Sequence, residues 1–210
     1  MPANQTNVEF GFLAGRYPGA LGHLYSPGAH TGPHHFFPYA LDNGAYSAWS
    51  KNLDFDVDAW RRHLDWGSRQ RQRPLWAVVP DFVASHDLTL ERWHMYVGEV
   101  RSRGMRPAFA VQNGATFDAA PDDECMLFIG GTDEFKDPAI APWCARFPGR
   151  VHVGRVNRKK RLWACYEAGA VSVDGTGWYH VNNGQRAELV DFIQRTHGKD
   201  RPRADYLAAV

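Results

Sequence analysis

Short apolar runs that end in a polar or glycine-rich corner recur along the chain, and they constrain the fold more than any other feature. They lie at residues 8–14, 39–41, 75–79, 108–111, 126–129, 151–153 and 171–173. Runs of this length bounded by turn residues are typical of buried strands. Amphipathic stretches of helical length lie between several of them, at residues 57–69, 88–103, 158–168 and 186–197, with a shorter one at 138–147. Alternating strands and helices predict an α/β fold with a parallel sheet, either closed as a barrel or open.

The chain has room for one such domain. Its 210 residues lie close to the lower limit of about 200 for a (β/α)8 barrel. We therefore expect a compact barrel of the TIM type over residues 1–210, with irregular or missing outer elements and with an eighth strand that the pattern does not locate. Residues 15–37 are rich in Gly, Pro and His and show no helical or strand period, so they are predicted to form a long irregular loop.

Composition excludes several classes of protein. A net charge of +1 argues against binding nucleic acid by bulk charge, although it allows a local basic face. The cysteines Cys125, Cys144 and Cys165 have no C-x-x-C spacing, so neither a disulfide framework nor a zinc ribbon is predicted. The polar start and the lack of an apolar run of about 20 residues favour a cytoplasmic protein without membrane contact.

Polar or glycine residues follow five of the predicted strands directly. They are Asp42, Asp81, Gln112, the pair Gly130 and Gly131, and Asp174. Taken singly, such residues are more often helix caps or turn formers. In a parallel barrel, however, strand carboxyl ends converge on the face that carries the site. Together they predict one shared pocket.

The chemistry of these residue types suits the cleavage of a glycosidic bond. One carboxylate can attack the anomeric carbon while a second moves a proton. A glutamine amide and exposed glycine backbone groups can read the hydrogen-bonding edge of a purine. Tyr46 lies four residues beyond Asp42 and can stack on the face of a base.

Four of these corners resemble a known family in their order along the chain. Residues 42–46, Asp-Asn-Gly-Ala-Tyr, are similar to its D-S-G-G-F segment, Gln112-Asn-Gly to its Q-G-G turn, and Ile129-Gly-Gly-Thr to its I-G-G-L turn. Residues 153–174 resemble its late helix and the strand that carries a nucleophilic aspartate. The family is the tRNA-guanine transglycosylase superfamily, and the short phage and bacterial branch that inserts 7-deazaguanines into DNA is the more similar.

The resemblance implies roles for the strand-end residues. Asp174 would be the nucleophile at C1′ and Asp42 the general acid/base, while Asp81, Gln112, Gly130 and Gly131 would read a base stacked on Tyr46. DNA and a free 7-deazaguanine base of the preQ0 type would be the partners. No cysteine follows Asp174, so the family's zinc subdomain is absent, and neither a metal nor another cofactor is expected. Val83 stands where the family commonly has a cysteine, two residues beyond the base-reading Asp81.

A basic cluster precedes the Asp174 strand and consists of Arg155, Arg158, Lys159, Lys160 and Arg161. Such a cluster can position a nucleic-acid strand through its phosphates, or it can be a solvated helix face. His30, His34 and His35 have no acidic or cysteine partner at ligand spacing and are predicted to face phosphate or solvent rather than a metal.

Other functions are compatible with the same residues. The two carboxylates could serve a tRNA-guanine transglycosylase or a hydrolase of nucleosides or glycosides, and a barrel without catalysis could bind nucleic acid through the basic cluster. The sequence leaves open whether a protein partner or a homo-oligomer contributes to the site.

Overall fold

The computed structural model describes residues 8–28, 37–121, 124–180 and 183–197. Seven parallel strands form one sheet in sequence order. They are β1 (His23–Tyr25), β2 (Tyr39–Leu41), β3 (Ala77–Val78), β4 (Pro107–Val111), β5 (Met126–Ile129), β6 (Val151–Val153) and β7 (Ser172–Val173). The helices are α1 (Val8–Arg16), α2 (Ala45–Ser50), α3 (Val57–Ser68), α4 (His86–Ser102), α5 (Asp133–Arg146), α6 (Lys159–Ala168), α7 (Gly177–His180) and α8 (Asn183–Thr196).

Local capping explains where several helices begin and end. The Asp56 side chain accepts a hydrogen bond from the Ala59 N–H at the start of α3, and Thr132 does the same for Phe135 at the start of α5. These bonds satisfy amide groups that have no partner within the helix. At the end of α6, Gly169 has φ 90°, a left-handed conformation that glycine adopts without strain.

Two apolar layers lie on opposite faces of the sheet. The larger layer packs the sheet against the helices and contains Trp60, Leu64, Trp93, Trp143 and Leu162. The smaller layer contains Leu24, Ala40, Trp76, Val78, Ala108, Ala110 and Met126. Because successive strand residues point to opposite faces, the smaller layer is the concave interior of the sheet.

Contacts across this interior show that the sheet is strongly curled. The rings of Trp76, beside β3, and His152, on β6, have centroids 4.9 Å apart. In a flat sheet three strand steps would separate them by about 14 Å. The described strands therefore form a half barrel.

The predicted α/β fold with a parallel sheet is confirmed, but the sheet is not a closed barrel. Among the described residues β1 and β7 each pair with a single neighbour, so the sheet has two edges. The strand predicted at residues 8–14 is wrong, because this segment belongs to α1. Its residues Leu13 and Ala14, together with Tyr17, pack on the core at helical spacing.

The prediction of a wholly irregular segment at residues 15–37 is also wrong in part. It contains the last residues of α1 and the strand β1, whose three residues pair with β2. This pairing is a long-range contact that a three-residue pattern between glycine-rich turns does not reveal. His30, His34 and His35 lie outside the described residues. No helix within the described ranges has the length and apolar character needed to cross a membrane.

The interior contact predicts a large effect on stability. Trp76 is 1% exposed, so Trp76→Ala should leave a cavity under the site and lower the free energy of unfolding by roughly 3–5 kcal/mol. Trp49→Ala is the matched control because Trp49 is 54% exposed and should cost less than about 1 kcal/mol. Urea denaturation measures both, and equal losses would contradict an inward-facing Trp76.

Candidate active site

Strand geometry brings four of the predicted residues to the concave face. Each lies two positions beyond a residue of the interior and therefore points the same way. The pairs are Asp42 beyond Ala40, Gln112 beyond Ala110, Gly130 beyond Phe128, and Asp174 beyond Ser172. These positions form a polar layer above the apolar one, at the carboxyl ends of the strands.

Asp174 is held by a buried histidine on the neighbouring strand. His152 pairs in register with Ser172, and its Nε2 lies 3.0 Å from Asp174 Oδ1 while its Nδ1 lies 2.8 Å from Ser172 Oγ. A carboxylate only accepts hydrogen bonds, so Nε2 carries the proton and Nδ1 accepts from the Ser172 hydroxyl. The Arg155 N–H donates to Asp174 Oδ2 at 3.2 Å.

These contacts favour the ionised form of Asp174. Burial opposes the charge of Asp174, but the hydrogen bond from His152 and the Arg155 N–H favour it, and the pKa of Asp174 lies below its ordinary value. Burial lowers the pKa of His152, so its ring is a neutral donor near pH 7. Because the Asp174 side chain is 15% exposed, it stays within reach of a substrate.

Asp42 has the opposite electrostatic environment. Its pKa is raised to about 6, mainly by burial and also by the negative charges of Asp174 and Asp81, while a hydrogen bond from Ser26 opposes the shift. The Ser26 hydroxyl donates to Asp42 Oδ2 at 2.9 Å. Asp42 therefore exchanges a proton close to physiological pH.

The two carboxyl groups lie at strand carboxyl ends on the same concave face of the curled sheet. They follow β7 and β2, which would lie about 24 Å apart in a flat sheet, yet the charge of one raises the pKa of the other. Curling of the sheet brings them together. Two carboxyl groups whose pKa values are pushed in opposite directions are suited to act as an anion and a proton donor.

Asp81 and Gln112 form a buried polar network with Asn43. Gln112 Nε2 donates to Asp81 Oδ2 at 2.5 Å, and Asn43 Nδ2 donates to Asp81 Oδ1 at 2.7 Å. Gln112 Oε1 accepts from the Ala84 N–H at 2.9 Å. Burial raises the pKa of Asp81, although the hydrogen bonds from Asn43 and Gln112 act to lower it. Every member is hydrogen-bonded, so the network is a rigid wall of the site.

The glycine pair after β5 permits this close packing. A Cβ at Gly130 would lie 2.7 Å from Gln112 Nε2, so a larger residue would displace the amide. Gly131 has φ 74°, and its carbonyl oxygen accepts from Arg155 Nη2 at 2.5 Å. The guanidinium carbon of Arg155 lies 4.2 Å from the ring centroid of Tyr46. Arg155 thus contacts Tyr46 and Gly131 through its side chain and Asp174 through its backbone N–H.

The structure divides the predicted basic cluster into three parts. Arg161 is only 11% exposed in its side chain and forms ion pairs with Asp137 and Asp133, at 2.6 and 3.1 Å. Arg155 turns toward the site. The remaining cations, Arg158, Lys159 and Lys160, are exposed at the start of α6.

Two residues of this region were not singled out by the sequence analysis. The sequence gives one indication of a role for His152, because it is a histidine between two valines in a predicted buried strand. The sequence gives no such indication for Lys136, because a lysine in a helix usually lies on its solvent-exposed face. The Lys136 side chain is fully buried, and its Nζ donates to the Gly154 carbonyl oxygen at 2.8 Å. Burial, and then the positive charges of Arg155 and Arg161, lower the pKa of Lys136 to about 8.

No protein ligand set for a metal is present in the part of the chain that the structure describes. Groups of three or more His, Cys, Asp or Glu side chains that could hold an ion do not occur there. The arrangement of Asp42, Asp174 and His152 offers an anion, a proton donor and a neutral imidazole. These groups can carry out nucleophilic and acid/base chemistry with their own atoms.

The raised pKa of Asp42 predicts a stability that depends on pH. The folded state holds the Asp42 proton more tightly than the unfolded state, so this stabilisation is present at low pH and is lost as the pH rises through about 6. Asp42→Asn should therefore be more stable than the parent at pH 8, by about 1–2 kcal/mol, with no advantage below pH 4. Urea denaturation at both pH values measures the difference.

Asp54→Asn provides the matched control, because Asp54 is an exposed aspartate outside the site. It should give the same small change at pH 4 and at pH 8. An Asp42→Asn protein that loses stability equally at both pH values would contradict the environment described for Asp42.

The chain was also compared with known proteins. It matches no model of a protein family, and no curated protein sequence is significantly similar to it. Its functional interpretation therefore depends on the geometry of the half barrel and on the residues that the curled sheet brings together.

Proposed function

We propose that this protein is a base-exchange glycosyltransferase that replaces guanine in DNA with a 7-deazaguanine of the preQ0 type. One observation carries the proposal: the curled sheet sets two carboxyl groups at strand carboxyl ends on its concave face, Asp174 hydrogen-bonded to His152 and the Arg155 N–H, and Asp42 hydrogen-bonded to Ser26. Their pKa values are displaced in opposite directions. We interpret the half barrel as a shortened TIM-type barrel, in which the strand carboxyl ends form the site.

The exchange proceeds in two successive displacements at C1′. An oxygen of ionised Asp174 attacks C1′, the bond from C1′ to the guanine nitrogen breaks, and the departing base takes the proton of Asp42. Ionised Asp42 then removes a proton from the incoming 7-deazaguanine. Its ring nitrogen attacks C1′ and releases Asp174. The same carboxyl group acts first as acid and then as base, which its pKa of about 6 favours.

His152 is a positioning residue in this scheme. Its hydrogen bond fixes the orientation of Asp174 and stabilises the anion before attack. The Ser172 hydroxyl holds the tautomer that makes this bond possible. A nucleophile oriented in advance needs less rearrangement to reach the transition state.

The base would be read by the network of Asp81, Gln112 and Asn43. Asp81 and Gln112 would offer the base their remaining lone pairs and the second amide proton of Gln112, in positions set by Asn43 and Ala84. The backbone of Gly130 and Gly131 can approach a ligand closely, and Tyr46 provides an aromatic face. A base inside a duplex cannot reach such a site, so the target nucleotide would be flipped out or already unpaired.

Covalent trapping tests the nucleophile and the acid. With a guanine-containing DNA oligonucleotide, Asp174→Asn and Asp174→Ala should give no protein–DNA adduct on a denaturing gel and no incorporation of labelled base. Asp42→Asn should still bind DNA but should form the adduct about 10²–10⁴-fold more slowly, because it has no proton to give.

The pH dependence of adduct formation is the control for this assignment. The parent rate should fall as the pH rises above about 6, where Asp42 loses its proton, and Asp42→Asn should lack this limb. Exchange that persists without Asp174 would remove the proposed nucleophile. Abasic sites without label would point to a hydrolase, and binding without any reaction would point to a barrel that only binds nucleic acid.

The exposed part of the basic cluster makes a separate prediction about DNA. Arg158→Gln, Lys159→Gln and Lys160→Gln should each weaken DNA binding and lower the slope of log affinity against log salt by about 0.9 for each lost phosphate contact. Fluorescence anisotropy over a salt series measures this. Arg71→Gln is the control, since Arg71 is exposed on the opposite, amino-terminal side of the sheet; an equal change there would contradict a localised DNA face.

A further inference from the structure

Arg155 contacts three parts of the site at once. Its backbone N–H donates to Asp174 Oδ2 at 3.2 Å. Its guanidinium donates to the Gly131 carbonyl oxygen at 2.5 Å and lies over the ring of Tyr46, 4.2 Å from the centroid. The backbone of Arg155 therefore lies beside Asp174, while its guanidinium lies against Gly131 and the ring of Tyr46, in a space that we name the base position.

The backbone and the side chain of Arg155 are held in different ways. Its φ of 57° is a left-handed conformation that a non-glycine residue rarely adopts. Neighbouring bonds hold this backbone, because the Val156 N–H donates to the Asp174 carbonyl oxygen and Lys136 Nζ donates to the Gly154 carbonyl oxygen. The guanidinium can therefore move while the N–H that serves Asp174 stays in place.

The guanidinium and a purine would compete for the same aromatic face. Both are flat groups that stack on the face of a tyrosine ring. The guanidinium covers one face of Tyr46 while the backbone of the same residue is hydrogen-bonded to the nucleophile, Asp174. A base that stacks there must displace the guanidinium.

We propose that Arg155 fills the base position until a polynucleotide binds, and that it then moves its guanidinium to a backbone phosphate of that strand. Arginine pairs with phosphate through two parallel hydrogen bonds. The exposed cations Arg158, Lys159 and Lys160 follow three to five residues later and attract the strand to this side. The inference rests on the proposed function for the identity of the base.

The movement of the Arg155 guanidinium from Tyr46 to a phosphate selects a polynucleotide over a free base or nucleoside. A free base has no phosphate and cannot compensate for the displaced arginine contacts. Once a strand is bound, its phosphate keeps Arg155 away from Tyr46, so the base position stays open after guanine leaves. A free 7-deazaguanine then enters only when the strand is already attached, which orders the two substrates.

Arg155→Gln tests the proposal in an Asp174→Asn background, where no adduct should form. Binding of the free 7-deazaguanine base should become tighter, roughly tenfold, because the competing cation is gone. Binding of a single-guanine DNA oligonucleotide should become weaker, with the salt slope lower by about 0.7–0.9. Tryptophan fluorescence and anisotropy measure the two affinities, and thermal unfolding checks that each variant is folded.

Arg158→Gln is the matched control. It removes an exposed charge near the same strand, so it should lower the salt slope equally and leave the affinity for the free base unchanged. Arg155→Lys keeps the charge and should retain the salt slope. The proposal is overturned if Arg155→Gln leaves the affinity for the free base unchanged or weakens it, or if it leaves DNA binding unchanged.

The two proposals fail separately. If base exchange occurs in the parent protein but Arg155→Gln has no effect on binding of the free base, only the inference about Arg155 is wrong. If Arg155→Gln shifts both affinities as expected while the parent protein exchanges no base, the inference stands and the transglycosylase function is wrong.

Discussion

Curling of the parallel sheet is the constraint on which the site depends. Trp76 from beside β3 meets His152 on β6, and Phe128 stacks on the same histidine at 4.8 Å. These rings fill the concave side of the half barrel and hold strands that would be far apart in a flat sheet. The carboxyl ends of β2 and β7 consequently lie on one concave face, and the charge of Asp174 raises the pKa of Asp42.

The two carboxyl groups nevertheless differ in the direction of their pKa shifts. Both are largely removed from water, which alone would raise both pKa values. Asp174 receives a histidine N–H and a backbone N–H, and these bonds outweigh burial. Asp42 receives a hydroxyl from Ser26 and also faces the negative charge of Asp174, so its pKa rises. Asp42 also accepts from the Asn43 N–H, so the difference arises from the kind of donor and from the neighbouring negative charges, not from the number of hydrogen bonds.

The aromatic interior and the site are also coupled through one histidine. His152 packs between Trp76 and Phe128 and at the same time donates to Asp174. A Cβ at Gly154 would lie 2.6 Å from Phe128, so the strand end above this packing has little freedom. Close packing beneath the polar layer therefore limits how far the nucleophile can move.

The sequence by itself determined the alternation of strands and helices and the polar or glycine residues after five of the strands, because periodicity and turn chemistry are local properties. It therefore located Asp42, Gln112, Gly130 and Asp174, but it assigned residues 8–14 to a strand and missed β1, whose pairing with β2 is not local. Only the tertiary structure decided that the sheet stays open yet curled. It also decided that Arg161 pairs with Asp133 and Asp137, and that Arg155 covers Tyr46. The burial of Lys136 was likewise decided there. These outcomes depend on which distant side chains meet, and no local pattern of residues contains that information.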